Sequence, residues 1–317
     1  MSELIFHHYP NSPFSEKVRL IFGFKQLSWR SVTIPVIMPK PDLVALTGGY
    51  RRTPVLQIGA DIYCDTALIA DVLERIKPAP TLYPVAQDGL ARTIAQWADS
   101  SLFWSAIGYA FQPAGMAAMF GHLPPQALQA FAADRAALRG DAARLAVPEA
   151  TAQLNEFIRR IDNMLAGGHA FLLGAEATIA DFSVYHGLWY VRRVSAVAGI
   201  FDAVPRLMHW MDRMAAFGHD QPAAMTGEEA LAVACASTPV AGIDAGAHAD
   251  FLDLHGAAFG DVVTVMPGDY GLDPVEGRLV VSTASEFAIE REDARAGTVV
   301  VHFPRLGFQL KKSGDAA

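Results

Sequence analysis

The residues whose types and spacing most clearly suggest a reactive site lie near the N-terminus, in the stretch YPNSPFSEKVRLIF, residues 9–22. A short apolar run precedes Ser12 and a helical pattern follows it, so its hydroxyl is expected where the unpaired N–H groups of a helix start point outward. Pro13 suits the first helical turn because it has no N–H to satisfy there. Serine at position 12 cannot exchange disulfides, but it can donate a hydrogen bond to a thiolate that a ligand supplies.

The energies involved make such a thiolate site workable. A free thiol has a pKa near ~8.5, and lowering it by ~2 requires about 2.7 kcal/mol of preferential stabilisation of the anion. One hydrogen bond to a charged group contributes ~1.5–3 kcal/mol, and a helix N-terminus ~0.3–1. One hydroxyl at a helix start is therefore sufficient. The plainer alternative is that Ser12 and Ser15 only cap the helix.

A second set of candidate residues lies in RRTPVLQIGADIYCDTALIADVL, residues 51–73. Proline belongs at a strand start, and a cis Thr53-Pro54 bond would present the backbone of Val55 to a peptide-like ligand. Asp65 and Thr66 follow a predicted hairpin and begin a helix. Their carboxylate, hydroxyl and helix-start N–H groups match an amino-acid head, or they form an ordinary helix cap.

The elements that must position these residues occupy the first of four predicted units, residues 1–79. Period-two and helical patterns indicate a β-α-β unit followed by β-β-α. The connection PVIMPKPDLVALTGGYRR, residues 35–52, has three prolines and a glycine pair, so at most a short helix is expected there.

The remaining chain predicts three further units. Residues 86–218 are all-helical, and Met208, Met211 and Met214 are expected on the buried face of the last helix. Residues 219–259 form a tether with one short helix. Residues 260–317 contain five short period-two runs, which indicate a small antiparallel β-barrel-like module.

These features together resemble the glutathione transferases. Ser-Pro-Phe-Ser at a strand-to-helix turn, Thr53-Pro54-Val55 before a hairpin and Asp65-Thr66 at the next helix start are similar to the family's thioredoxin-like N-terminal domain. An all-helical domain follows, with a capping-box pattern, Thr178 and Asp181, in FLLGAEATIADFSVY, residues 171–185. The resemblance covers residues 3–217 and implies an α/β domain plus an all-α domain, to which the chain adds a small all-β module.

The resemblance implies glutathione as co-substrate and a glutathione transferase-like enzyme. Asp65 and Thr66 would hold the γ-glutamyl head, Val55 would pair with the cysteinyl backbone, and Ser12 would stabilise the thiolate for attack on a hydrophobic electrophile. Arg52 would meet the glycyl carboxylate or remain a solvated loop residue. The implied glutathione-binding set is Ser12, Phe14, Arg52, Thr53, Pro54, Val55, Asp65 and Thr66.

Two features of this site are left open by the sequence. Tyr9 aligns with the catalytic tyrosine of some branches of the family, so Tyr9 is the alternative thiol donor. The electrophile pocket is expected between the domains, at Phe103, Trp104 and Tyr109, although such an aromatic stripe also suits a core. Asp99 could approach the ammonium of the ligand, but it is expected to be a solvated helix acid.

Composition limits the other functions. The net charge of -8, without a basic block, argues against nucleic acid or an anionic membrane as partner. Only two cysteines occur, no apolar run approaches the ~20 residues of a membrane span, and the N-terminus lacks an export pattern, so a cytoplasmic location is expected. His7 and His8 lack further ligands at metal spacing and are expected at a strand edge.

The resemblance also implies a homodimer, and the role of the C-terminal module stays open. Oligomer contacts, a pocket lid and a protein partner are all compatible with its sequence, and His302 is expected to be structural. The alternative function is a non-catalytic glutathione-fold protein that uses this module to bind a protein or another ligand.

Overall fold

The computed structural model describes residues 3–142, 144–240 and 255–313. Its N-terminal part is the expected βαβ–ββα unit. Strand β1 pairs in parallel with β2 and antiparallel with β3, and β3 forms a hairpin with β4 around Gly59, whose φ of 62° favours glycine. The elements are β1 Ile5–His8, α1 Pro13–Lys25, β2 Trp29–Thr33, α2 Pro41–Thr47, β3 Val55–Ile58, β4 Asp61–Cys64 and α3 Thr66–Ile76.

The helical part follows a proline-rich connection, as the sequence indicates. Its first two helices are continuous, because a π-helical turn at Ala98–Leu102 joins α4 to α5. The helices are α4 Asp88–Trp97, α5 Phe103–Ala110, α6 Pro113–Phe120, α7 Pro125–Arg139, α8 Val147–Met164, α9 Ile179–Arg192 and α10 Pro205–Ala215, with a 3₁₀ turn at Ala198–Phe201. In α10, Met211 and Met214 are fully buried, and Met208 packs against the same core.

The capping box expected at the start of α9 is present. Thr178 donates its backbone N–H to the Asp181 carboxylate at 2.9 Å. The same carboxylate accepts hydrogen bonds from the Leu172 N–H and the Trp210 indole, both at 2.9 Å. Asp181 therefore ties the central helix to α10 and to the preceding loop.

The segment after α10 is more than a tether where it is described. Strand β5, Pro222–Ala224, pairs in parallel with β2 at the edge of the sheet, and α11, Gly227–Cys235, packs against the core beside α2. Residues 241–254 of the expected tether lie outside the described residues.

The C-terminal module is antiparallel and rolled, as expected for a barrel-like unit. Its strands are β6 Val262–Pro267, β7 Val275–Ser282, β8 Glu286–Asp293, β9 Gly297–Pro304 and β10 Phe308–Lys312. β10 begins a few residues after β9 but pairs with β6 at the opposite end of the module, so the five strands must curl.

The module joins the N-terminal sheet directly. Strand β9 pairs in parallel with β4, which places Ile62 opposite Val301. Over the described residues this gives one ten-stranded sheet in the order β10-β6-β7-β8-β9-β4-β3-β1-β2-β5. The domain boundaries that the sequence indicates, at residues 79, 86, 218 and 259, stay predictions.

A buried histidine holds this junction. His302 of β9 lies between two carboxylates, with Nδ1 bonded to Glu286 of β8 and Nε2 3.0 Å from Asp61 of β4. Burial by itself lowers the pKa of His302, but the hydrogen bonds and charges of Asp61 and Glu286 outweigh it and raise the pKa above its ordinary value. The charged imidazolium thus links the module to the thioredoxin-like sheet, a structural role.

The two larger hydrophobic cores lie on the two faces of this sheet. One fills the space between the sheet, α1, α3 and the helical domain, and the other lies between the sheet, α2, α11 and the module. The expectation of a strand edge for His7 and His8 is wrong, since β1 is an interior strand and both side chains are buried. His7 bonds Gln57 at 2.9 Å, and His8 lies between Ser31 and Arg19.

Candidate active site

The N-terminus of α1 is built around Ser12. Ser12 has the extended backbone of an N-cap, and its Oγ accepts a hydrogen bond from the Ser15 N–H at 3.2 Å. Pro13 occupies the first helical position. Ser12, not Ser15, is therefore the cap. Since Oγ accepts in this bond, its own hydrogen stays available to donate to an anion.

Tyr9 lies on the same side of the cleft. Burial raises the pKa of the Tyr9 phenol, although Arg135, as a nearby charge and a hydrogen-bond partner, and a hydrogen bond with Ser12 act in the opposite direction. The phenol therefore stays protonated near neutral pH and is, like Ser12, a neutral donor. The two alternative thiol donors therefore lie next to each other at the cleft.

The Thr53-Pro54 peptide bond is cis, and Val55 begins β3 directly after it. Thr53 Oγ1 accepts a hydrogen bond from the buried Lys40 ammonium at 3.0 Å. Asp65 caps α3, where its carboxylate accepts from the Ala67 N–H at 2.9 Å and its φ is 74°. Burial raises the pKa of Asp65 despite that hydrogen bond and the Arg52 charge.

A buried ion pair lies next to the start of α3 and contacts Thr66. Lys17 donates to the Thr66 hydroxyl at 3.1 Å and to the Asp99 carboxylate at 2.6 Å. Asp99 also lies 2.9 Å from His186 Nε2. The expectation of a solvated Asp99 is therefore wrong. It is the counterion of Lys17, a contact that no short sequence pattern indicates.

The loop between β6 and β7 reaches into this site from the C-terminal module. Arg52 bonds the Asp269 carboxylate and the Tyr270 carbonyl, and its guanidinium lies 3.7 Å from the centre of the Tyr270 ring. Tyr270 also packs edge-on against Trp104, and the Gly271 N–H donates to the Leu138 carbonyl at 2.7 Å. Arg52 is thus not a solvated loop residue, and the module forms one wall of the cleft.

These walls enclose a cavity of about 660 Å³ between the thioredoxin-like and helical parts. Apolar and aromatic side chains from α5, α6 and α7 make its inner surface. Of the residues selected from the sequence, those that line it are Tyr9, Ser12, Phe14, Arg52, Thr53, Phe103 and Trp104.

The other selected residues lie off this cavity. Pro54, Val55, Asp65 and Thr66 lie outside its lining. Tyr109 does too, and its hydroxyl donates to the Val197 carbonyl at 3.0 Å within the helical domain. Helical periodicity explains the difference, because Phe103, Trp104 and Ile107 face the cleft while Tyr109 lies on another side of α5.

Tyr270 is one of the wall residues that sequence reasoning missed. The segment PGDYG, residues 267–271, has the composition of a turn and carries no mark of a long-range contact. The only hint that this turn contacts another part of the protein was the aromatic side chain of Tyr270 within an otherwise turn-like segment.

Comparison with known proteins agrees with this architecture. Two family models match the chain, the glutathione S-transferase N-terminal domain at residues 6–81 and the C-terminal domain at residues 108–217. The chain belongs to the glutathione S-transferase family. A solved structure of a GST-like protein from Pseudomonas syringae is 43% identical, with a TM-score of 0.82, and the match covers 98% of this transferase and 100% of that chain.

More distant solved structures share the fold alone. A glutathione S-transferase from Rhodospirillum rubrum F11 is 18% identical, with a TM-score of 0.51 over 67% of this chain and 88% of that one. The beta-etherase LigF from Sphingobium sp. strain SYK-6 is 16% identical, with a TM-score of 0.51 over 68% and 96%. A search of curated protein sequences gives no match.

Two kinds of feature are absent from the residues that the structure describes. No helix among them has the length and apolar character needed to span a bilayer. They also contain no group of three or more His, Cys, Asp or Glu side chains placed to hold a metal ion.

Proposed function

We propose that this glutathione S-transferase activates the glutathione thiol with the Ser12 hydroxyl and joins it to a hydrophobic electrophile held in the cavity. The observation that carries the proposal is the position of Ser12. Its side chain caps α1 and at the same time lines a cavity whose inner surface is mainly apolar.

The chemical step needs only a stabilised thiolate. The thiol loses its proton to solvent, the sulfur forms a bond to the electrophilic carbon, and the leaving group departs with its electron pair. The Ser12 O–H donates to the sulfur anion, and the first N–H groups of α1 add their partial positive charge. Tyr9 remains the alternative donor, because its protonated phenol lies beside Ser12.

The rest of glutathione is assigned by the family resemblance and supported by local chemistry. Asp65 and Thr66 at the start of α3 suit the γ-glutamyl head, and Val55 after the cis proline suits the cysteinyl backbone. Arg52, Thr53 and Phe14 lie at the cavity wall, where the glycyl end and the thiol would meet the electrophile. Phe103 and Trp104 supply apolar contacts for that electrophile.

A variant series tests the proposal. Ser12→Ala should lower kcat for conjugation at least tenfold with little change in glutathione affinity, since an anion hydrogen bond contributes ~1.5–3 kcal/mol. Ser15→Ala is the matched control, because its buried Oγ has no partner among the described residues and its N–H still binds Ser12. Unchanged activity in Ser12→Ala, with a loss in Tyr9→Phe, would move the role to Tyr9.

One observation favours the second function, a non-catalytic glutathione-fold protein. Arg52, the residue assigned to the glycyl carboxylate, already bonds the module's own Asp269 and Tyr270. Calorimetry with glutathione separates the two functions. Heat of binding at millimolar glutathione supports the enzyme, and its absence supports a binding protein that uses the module.

We also propose a homodimer and a cytoplasmic location. Family membership supports the dimer, and the composition supports the location. Sedimentation at several concentrations tests the first, and fractionation of cells that express the chain tests the second.

A further inference from the structure

The charge around the cavity is opposite to that of the whole chain. The protein has a net charge of -8, yet six basic side chains line the cavity and no carboxylate does among the described residues. Lys40, Arg51 and Arg52 come from the thioredoxin-like part, and Arg135, Arg139 and Arg144 from α7 and the segment after it.

Some of this positive charge is already compensated. Arg51 and Arg135 share one carboxylate, that of Asp134, and Arg52 is paired with Asp269. These three arginines hold the walls together, and their charges are largely compensated within the protein.

Lys40 is cationic and buried, and no carboxylate from residues 3–142, 144–240 or 255–313 forms an ion pair with its ammonium. The residue is 3% exposed, and its ammonium donates to the Arg51 carbonyl and the Thr53 hydroxyl. Burial first, and then the Arg135 charge, lower the pKa of Lys40 to about 8, although Asp134 opposes this. A buried ammonium group is stabilised by a nearby negative charge, and a bound ligand can supply that charge here.

Arg139 and Arg144 form the basic end of the helical wall. Neither makes an ion pair with a carboxylate within the part of the chain that the structure describes, and both border the cavity beside apolar Leu145 and Ala136. A guanidinium is suited to hold a carboxylate with two parallel hydrogen bonds. The aromatic walls, in turn, suit a planar apolar body.

We infer that the electrophile of this enzyme is an aromatic acid, with its ring against the wall that Phe103 and Trp104 form together and its carboxylate at Arg139 and Arg144. This inference rests on the proposed function and names the substrate class for the same cavity. It does not assign these arginines to glutathione, whose charged ends are expected at the start of α3 and at Arg52, on the thioredoxin-like wall.

A pair of test substrates isolates the carboxylate. 4-Chloro-3-nitrobenzoate and 4-chloro-3-nitrobenzamide have the same ring and the same leaving group. In both, the thiolate sulfur forms a bond to the ring carbon that carries chlorine, the carbon–chlorine bond breaks, and chloride departs with its electron pair. The thiol proton passes to solvent, and no oxidant or reductant is needed. Each kcat/KM is divided by the uncatalysed rate constant with glutathione to remove the difference in ring reactivity.

The wild-type enzyme should prefer the acid over the amide by about tenfold or more, as one charged hydrogen bond allows. Arg139→Gln combined with Arg144→Gln should abolish that preference and leave the amide within about twofold of wild type. The matched control, Arg159→Gln with Arg160→Gln, removes the same charge from α8 outside the cavity lining and should retain the preference.

The inference is overturned if the wild type uses acid and amide equally, or if the preference survives in the Arg139 and Arg144 double variant. In either case, conjugation itself still supports the proposed function. Calorimetry with 4-chloro-3-nitrobenzoate covers the case in which nothing is conjugated. Binding that is lost in the double variant then supports the acid site although the proposed reaction fails. Binding that is absent in the wild type overturns the inference.

Discussion

Replacement of His302 by glutamine tests how the C-terminal module is attached. His302 lies between Asp61 on β4 and Glu286 on β8, and its side chain is only 5% exposed. Glutamine carries no charge, and it has one NH₂ group to offer the two carboxylates in place of two ring nitrogens on opposite sides. Removal of one partner from a buried ion pair costs ~3–5 kcal/mol. Glu286 can turn toward Arg75, 3.9 Å away, so we expect about 3 kcal/mol.

The effect should depend on pH, because the pKa of His302 is raised in the folded protein. Its charge then contributes stability that is fully present below ~6.5, its unfolded value, and is lost as the pH rises through the folded value. The difference in melting temperature between wild type and His302→Gln should therefore be largest at about pH 6 and smaller at about pH 9.

Thermal unfolding followed by circular dichroism at both pH values measures this difference. His219→Gln is the control, since His219 also meets a carboxylate, Glu16, but is 40% exposed and should contribute at most ~1 kcal/mol. A His302→Gln loss no larger than the control, or equal at both pH values, would refute a charged clamp between module and sheet.

Two further predictions concern close contacts. Gly23→Ala should destabilise the protein by at least ~1–3 kcal/mol in denaturant unfolding, because the new Cβ would collide with the Gly218 carbonyl, whereas Gly89→Ala, with open space around it, should have little effect. Equal stability of the two variants would contradict this packing. Tyr270→Ala should raise the KM for glutathione about two- to thirtyfold in steady-state kinetics, because the ring no longer holds Arg52 by a cation–π contact of ~0.5–2 kcal/mol. Tyr270→Phe keeps the ring and should resemble wild type, so an equal loss in both variants would argue against that contact.

Local patterns were enough to predict most elements of the first 217 residues. Ser12 and Pro13 carry their own helix-start chemistry, and the capping box of Thr178 and Asp181 is complete within four residues. Both were confirmed because the physical cause lies in neighbouring residues. The family resemblance, now shown by both domain models, rests on such local motifs in the right order.

Contacts between distant parts of the chain could not be predicted in this way. The pairing of β4 with β9 joins Ile62 to Val301, and an antiparallel strand and a parallel one show the same period-two pattern in sequence. Likewise, Lys17 and Asp99 each resemble an ordinary surface charge in the sequence. They form an ion pair only because α1 packs against the continuous helix of α4 and α5. The position of Tyr270 in the cleft depends on the same long-range folding.

The ionisation of bound glutathione tests the role of Ser12 most directly. The ultraviolet absorbance of the thiolate, titrated against pH in the enzyme–glutathione complex, gives the pKa of the bound thiol. We expect that pKa well below the ~8.5 of a free thiol in the wild type and in Ser15→Ala, and close to it in Ser12→Ala. A bound thiol whose pKa is the same in wild type and Ser12→Ala would contradict thiolate stabilisation by Ser12.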